Sequence, residues 1–206
     1  MTLPIEINKA LKEVHSFQNE YEMTRCCSQA VALLKALTKE LPYEIKVVSG
    51  LVKRVIDNRE YELEHTWATY NDEIIEVVPE WYKRKSRGKV RYISLEQWLK
   101  DKEYDEEIKN ITIKQCVALK KVVKNLESYT IDGIKECMFD THNVHNQRMK
   151  LLHNECKKRR LQPTQHNISL VEEQLQREMG PNYFTGNFLQ PKAEVFIFRN
   201  GQFVNL

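Results

Sequence analysis

Cys26 and Cys27 stand where a thiol can be activated. A cysteine attacks a carbonyl carbon as its thiolate, and the unpaired amides at a helix N-terminus favour that anion. Thr24 is a suitable N-cap for a helix running from Arg25 to about Glu40, which puts Cys27 at the third helical position, among those amides. A base must then come from elsewhere in the chain. If Asn71-Asp72 forms a two-residue hairpin loop, Tyr70 faces Glu73, Trp67 faces Glu76, and His65 becomes a diagonal neighbour of Glu76 on the same sheet face. A carboxylate beside an imidazole fixes its tautomer and steadies its charged form. Cys27, His65 and Glu76 are therefore the expected nucleophile, base and orienting acid of an acyl transfer, with Cys26 as the alternative nucleophile. The Cys27 amide and the side chain of Gln18 or Asn19, just upstream, are candidates for the oxyanion hole. Trp67 and Trp81 are candidates for contacts to the substrate.

The elements that must position these residues follow from periodicity. Ile7, Leu11, Val14 and Tyr21 recur at helical spacing, predicting a helix from about Pro4 to about Asn19. The helix opened by Thr24 carries the stripe Ala30, Val31, Leu34, Leu37 and Leu41, and Pro42 prevents its continuation. From Tyr43 the period becomes two, and three antiparallel strands in meander order are expected through Val78. Ser94 caps a short helix ending near Lys100, and the acidic stretch Asp101 to Glu107 reads as a boundary. Beyond it, helices are expected from Ile113 to about Ser128, from Ile131 to about Arg160 with a break near Asn143, and from Ser169, capped by Ser169 and Glu172, to Met179 with Gly180 closing it. Asn200-Gly201 predicts a terminal hairpin, whose strands could extend the central sheet.

In chain order this is a helix-borne Cys, a strand-borne His and an acid on the next strand, and it resembles the transglutaminase-like group of the papain-like thiol enzymes. That group shows a Cys opening a helix, a Leu-rich stripe, a Gly-Ile-Pro-Ala-Arg turn into a strand ending Val-Val-Ser-Gly, then His-Ala-Trp and a strand ending in Asp-Pro. The counterparts here are Cys27, Ala30 through Leu41, Lys46-Val47-Val48-Ser49-Gly50, His65-Thr66-Trp67 and Ile74-Ile75-Glu76, all within roughly the first 80 residues. Leu41-Pro42-Tyr43-Glu44-Ile45 stands where Gly-Ile-Pro-Ala is usual, and Glu76 stands at the position of the Asp. Counting back from Val47-Val48-Ser49-Gly50 selects Cys27 as nucleophile, whereas an Ala four residues on selects Cys26 through Ala30; Cys27 is preferred because its register fills more of the apolar stripe. The resemblance implies an α+β protein with a papain/transglutaminase-like core, its N-terminal helices packed on an antiparallel sheet, over residues 1–100. A largely helical extension ending in a β-hairpin then occupies 101–206. It also implies hydrolysis of an amide or peptide bond in a protein, a peptide or a small amide, with no cofactor.

The rest of the chain bounds this expectation. Its 206 residues carry 32 Lys+Arg against 29 Asp+Glu, a net charge of +3, with 41% hydrophobic residues, the composition of an ordinary globular protein. The longest apolar run, Ala30 to Leu34, is far short of the roughly 20 residues a membrane helix needs, and the N-terminus lacks a secretory pattern, so a cytoplasmic location without membrane contact is expected. Five cysteines without framework spacing are expected to be free thiols. His142, His145, His153 and Cys156 have a zinc-like spacing but cannot converge from one continuous helix, so no metal is expected. Asn167-Ile168-Ser169 matches a glycosylation acceptor and is better explained as a helix cap. Trp81 to Arg91 holds six basic residues and two aromatics, expected as a solvated loop. That segment carries the alternative function: a non-catalytic transglutaminase-like module binding protein or nucleic acid.

Overall fold

The computed structural model describes residues 3–21, 23, 27–56, 59–77, 87–101, 105–179, 196–199 and 202–205. They form a mixed α+β protein with six helices, one four-stranded antiparallel sheet and a separate two-stranded sheet. Two compact units divide at Phe139/Asp140. Among the described residues no helix is long and apolar enough to cross a membrane.

Helix α1 (Ile5–Glu20) buries Ile7, Ala10, Val14 and Gln18 on one face; of the expected stripe Ile7 and Val14 are buried, Leu11 is half-buried and Tyr21 is exposed beyond the helix. Helix α2 (Cys27–Leu37) buries every residue from Ser28 to Leu34, so it is a core helix enclosed on all sides. It ends three residues short of the expected Glu40. The Thr38 hydroxyl donates to the Leu34 carbonyl at 2.8 Å, and Leu41 N–H turns back to Thr38 O at 3.0 Å, closing the last turn before Pro42 is reached.

Strands β1 (Lys46–Ile56), β2 (Arg59–Tyr70) and β3 (Glu73–Ile75) form the expected meander. The two-residue loop is real: Tyr70 faces Glu73, and Asn71 and Asp72 adopt φ of 48° and 62°, the left-handed pair such a loop demands. A fourth strand, β4 (Arg87–Ser94), pairs with the far edge of β1 and gives the order β3-β2-β1-β4. It corrects the expectation of a loop through Arg91. An edge strand tolerates cations, which obscure the alternation that places Tyr92 opposite Val52. Gly50, inside β1, is required by close approach: a Cβ there would lie 2.1 Å from Ile93 O and 2.9 Å from Leu95 N, where β4 runs into helix α3 (Leu95–Asp101). Ser94 Oγ accepts from Gln97 N–H at 3.2 Å, the expected cap.

Helix α4 (Glu106–Leu126) packs against α2, β1 and β2, so the first unit extends past the acidic stretch. It starts seven residues before the expected Ile113. Asp105 accepts from Glu107 N–H at 2.7 Å, and Glu106 and Glu107 occupy the first turn, so the acidic run is the start of a helix favoured by its dipole. Helix α5 (Ile131–Lys158) is continuous through Asn143, where a break was expected.

In the second unit, α5 and helix α6 (Gln165–Met179) share a small core of Met149, Leu152, Cys156, Ile168, Val171 and Leu175, flanked by an Arg148–Glu172 ion pair. α6 begins four residues before Ser169, because Thr164 Oγ1 accepts from Asn167 N–H at 3.3 Å and takes the capping role; Gly180 lies outside the described residues. Strands β5 (Phe196–Arg199) and β6 (Gln202–Asn205) pair with Arg199 opposite Gln202, as the Asn200-Gly201 loop predicts, and make a sheet of their own without extending the central one.

Candidate active site

Cys27 is the first described residue of α2, half-buried, with Cys26 and Thr24 outside the described residues. The adjacent Ser28 ties this end of the helix to the sheet. Its hydroxyl donates to Thr66 Oγ1 at 3.4 Å, and Thr66 Oγ1 also meets Ser49 Oγ at 3.4 Å, so one fully buried threonine links α2, β1 and β2. His65 precedes Thr66 on β2 and faces Gly50 across the β1 ladder. It is 5% exposed.

The His65 ring lies within hydrogen-bonding reach of the Cys27 thiol, and its Nε2 is 3.5 Å from Glu76 Oε1. At that distance the second contact is an ion pair lying outside tight hydrogen-bond geometry, and Nε2 has no hydrogen-bond partner among the described residues. Burial opposes charging the ring, but its interactions with Cys27 and Glu76 outweigh it and push the His65 pKa up from 6.5 to about 10. The ring is therefore an imidazolium at neutral pH, held between a sulfur and a carboxylate. β3 stops at Ile75 instead of running through Val78 as expected, so Glu76 lies one residue past the ladder and is not paired opposite Trp67; its side chain nevertheless reaches His65.

Two aromatic rings pack against this histidine. Trp67, 3% exposed, stacks with His65 at 6.2 Å between centroids and meets Tyr92 edge-on at 5.4 Å, while Tyr92 lies 6.2 Å from His65. Trp67 is thus an inner wall of the site, and Trp81 lies outside the described residues. Gln18 is 1% exposed, and its Oε1 has no hydrogen-bond partner among the described residues. Asn19 is exposed, so of the two oxyanion candidates only Gln18 is enclosed by the protein.

Sequence reasoning missed His15, Gly50, Thr66 and Tyr92. His15 Nε2 lies 3.0 Å from the Glu76 carbonyl oxygen. A glycine interrupting an otherwise regular strand was the signal available for Gly50, and the alternation Val90-x-Tyr92-x-Ser94 was the signal for β4 and its tyrosine. His15 and Thr66 carry no such signal, because their partners lie on other elements.

Cys27, Cys116 and Cys156 are free thiols. Cys116 donates to Gly50 O at 3.6 Å, and burial together with nearby Glu64 pushes its pKa up to about 12. Cys156 sits in the core of the second unit, and among the described residues no group of three or more His, Cys, Asp or Glu side chains converges as a metal site. The basic residues from Lys83 to Lys85 lie outside the described residues, and Arg91 is exposed on β4. Comparison with protein-family models, with curated proteins and with solved structures finds no match to this chain.

Proposed function

We propose that the chain is a cysteine-dependent acyl-transfer enzyme with a transglutaminase-like core, hydrolysing an amide or ester bond in a protein, a peptide or a small amide. The observation that carries this is the His65 imidazole held between the Cys27 thiol and the Glu76 carboxylate, 3.5 Å from the latter. With Nε2 turned to Glu76, the other ring nitrogen exchanges its proton with the sulfur and the leaving group.

The Cys27 sulfur attacks the carbonyl carbon, and the electron pair moves to oxygen. The anion is met by the Cys27 amide and, from the α1 side, by the Gln18 side chain. As the carbon–nitrogen or carbon–oxygen bond breaks, His65 gives its proton to the departing amine or alcohol and leaves a thioester on Cys27. Water then attacks the thioester while His65 takes its proton, and the acid departs with the thiolate restored. Water is the default acceptor, so hydrolysis is preferred to cross-linking. The free thiols support a cytoplasmic setting for this chemistry.

The test is acylation by p-nitrophenyl acetate at pH 7, followed by intact-mass and peptide-mass analysis. The expected result is an acetyl group on Cys27 that turns over, absent in Cys27→Ala and at least about a hundredfold slower in His65→Ala, the range general-base loss sets. Equal rates for the wild type and His65→Ala, or acetylation elsewhere only, would overturn the proposal.

A further inference from the structure

Glu76 lies one residue beyond β3, so the ladder that sets Tyr70 opposite Glu73 and Ala68 opposite Ile75 no longer holds it. Its carboxylate must still meet His65 Nε2, 3.5 Å away. A glutamate has one more rotatable bond than an aspartate, so its carboxylate stays on target only if the backbone that launches it is fixed. Helix α1 supplies that fixture through the 3.0 Å contact between His15 Nε2 and the Glu76 carbonyl oxygen, which spans 61 positions of chain. A carbonyl only accepts, so the ring is the donor and carries a proton on Nε2. The helix is a firm base for this bond, because Val14 beside His15 is fully buried and Gln18, one turn on, is 1% exposed.

We infer that His15 is a positioning residue of the triad, anchoring the backbone of Glu76 so that its carboxylate remains on His65, an inference that rests on the acyl-transfer proposal above. In this scheme His15 acts on the imidazole through Glu76. On this view α1 is part of the site, because it supplies the anchor for the acid.

The experiment uses the full chain. His15→Phe keeps a ring and removes the donor, while His15→Gln keeps an amide donor. Alkylation of Cys27 by iodoacetamide at pH 7 is expected to slow about threefold to tenfold in His15→Phe, the range a single net hydrogen bond sets, with a pH profile displaced toward that of Glu76→Gln. His15→Gln should restore most of the rate. In the double variant His15→Phe/Glu76→Gln the rate should equal that of Glu76→Gln alone, since nothing is left for the anchor to hold.

A wild-type pH profile in His15→Phe, or losses that multiply in the double variant, would overturn the inference. If His15→Phe does not fold, His15→Gln and the shorter His15→Asn decide: near-wild-type rates for Gln with Glu76→Gln-like rates for Asn support the anchor, and equal rates oppose it. Titration of the His65 ring by NMR separates this inference from its parent. A downward displacement in the donor-lacking variant supports the anchor whatever the thiol does, and an unmoved titration rejects it. A wild-type Cys27 no more reactive than free cysteine would instead reject the acyl-transfer proposal alone.

Discussion

Replacing Glu76 by Gln tests the electrostatics of the site with little change of shape. The amide oxygen can still accept from His65 Nε2, but the negative charge is gone. At 3.5 Å and an effective dielectric of about 20, a carboxylate–imidazolium pair is worth roughly 5 kcal/mol before desolvation. Both groups are nearly enclosed, His65 5% and the Glu76 side chain 12% exposed, so desolvation takes back much of it. A net of about 1.5–3 kcal/mol, typical for a bond to a charged group, corresponds to about one to two pH units in the midpoint of His65. In Glu76→Gln that midpoint should fall by this amount from about 10 while Cys27 continues to hold it above 6.5. NMR of the imidazole resonances measures it directly, with His65→Gln supplying the assignment. Linkage gives a second readout. His65 has a folded-state pKa above its unfolded value, so its contribution to stability is full below about pH 6.5 and is lost as pH rises through about 10. The urea midpoint of the wild type should decline across that window, and Glu76→Gln should start lower and complete its decline at lower pH. A His65 titration in Glu76→Gln within about 0.3 pH unit of the wild type, well under the one-to-two-unit fall expected from the pair, would show that the ion pair does not govern this histidine.

Gly50→Ala should cost about 3 kcal/mol or more, because the new methyl would meet backbone atoms of Ile93, Ser94 and Leu95 that cannot swing aside; urea denaturation measures it, and a change under about 0.5 kcal/mol would contradict the close approach. Iodoacetamide at pH 7 should modify Cys27 at least about a hundredfold faster than Cys116, whose thiol is buried and pushed up to about 12. Peptide mapping of the folded protein decides this, with comparable labelling of the two as the contrary result. Thr66→Val removes the hydroxyl shared by Ser28 and Ser49 at 3.4 Å on each side and should destabilise the protein by about 1–2 kcal/mol while slowing alkylation of Cys27. An unchanged urea midpoint would mean that the shared hydroxyl does not tie α2 to the sheet.

What could be foreseen from the chain depended on how far each relation reaches. The Asn71-Asp72 loop sets the register of its two strands by local conformation alone, so the nearness of His65 and Glu76 followed from counting residues outward from the turn. The existence of helices α1 and α2 was legible because apolar periodicity is a property of the segment itself, whereas the burial of α2 on all sides was not, since the stripe foresaw one buried face. Helix starts were less so. Asp105 and Thr164 both cap earlier than expected, since an acidic run and a Thr-Gln-His run look equally like linkers until their side chains are seen to accept from the first turn. Strand β4 was hidden because its cations satisfy an edge position and a loop equally well.

The residues that sequence could not deliver are those whose partners belong to other elements. Thr66 matters through Ser28 and Ser49, and Tyr92 through rings on β2, and neither relation leaves a mark on its own segment. His15 is the sharpest case: on α1 it is one half-buried polar residue beside a buried stripe, and its meaning appears only when the carbonyl of Glu76 comes to lie 3.0 Å away. That contact bears on the acid of the proposed triad, a Glu where the expected pattern has Asp. The longer side chain reaches His65 from a backbone position one residue beyond the last pair of the β2–β3 ladder. An acid that reaches farther needs its backbone tied elsewhere, and α1 is the element that ties it. Substitution of Glu76 by Asp should accordingly not recover the activity lost in Glu76→Gln, because the anchor holds the backbone at the distance that a glutamate spans.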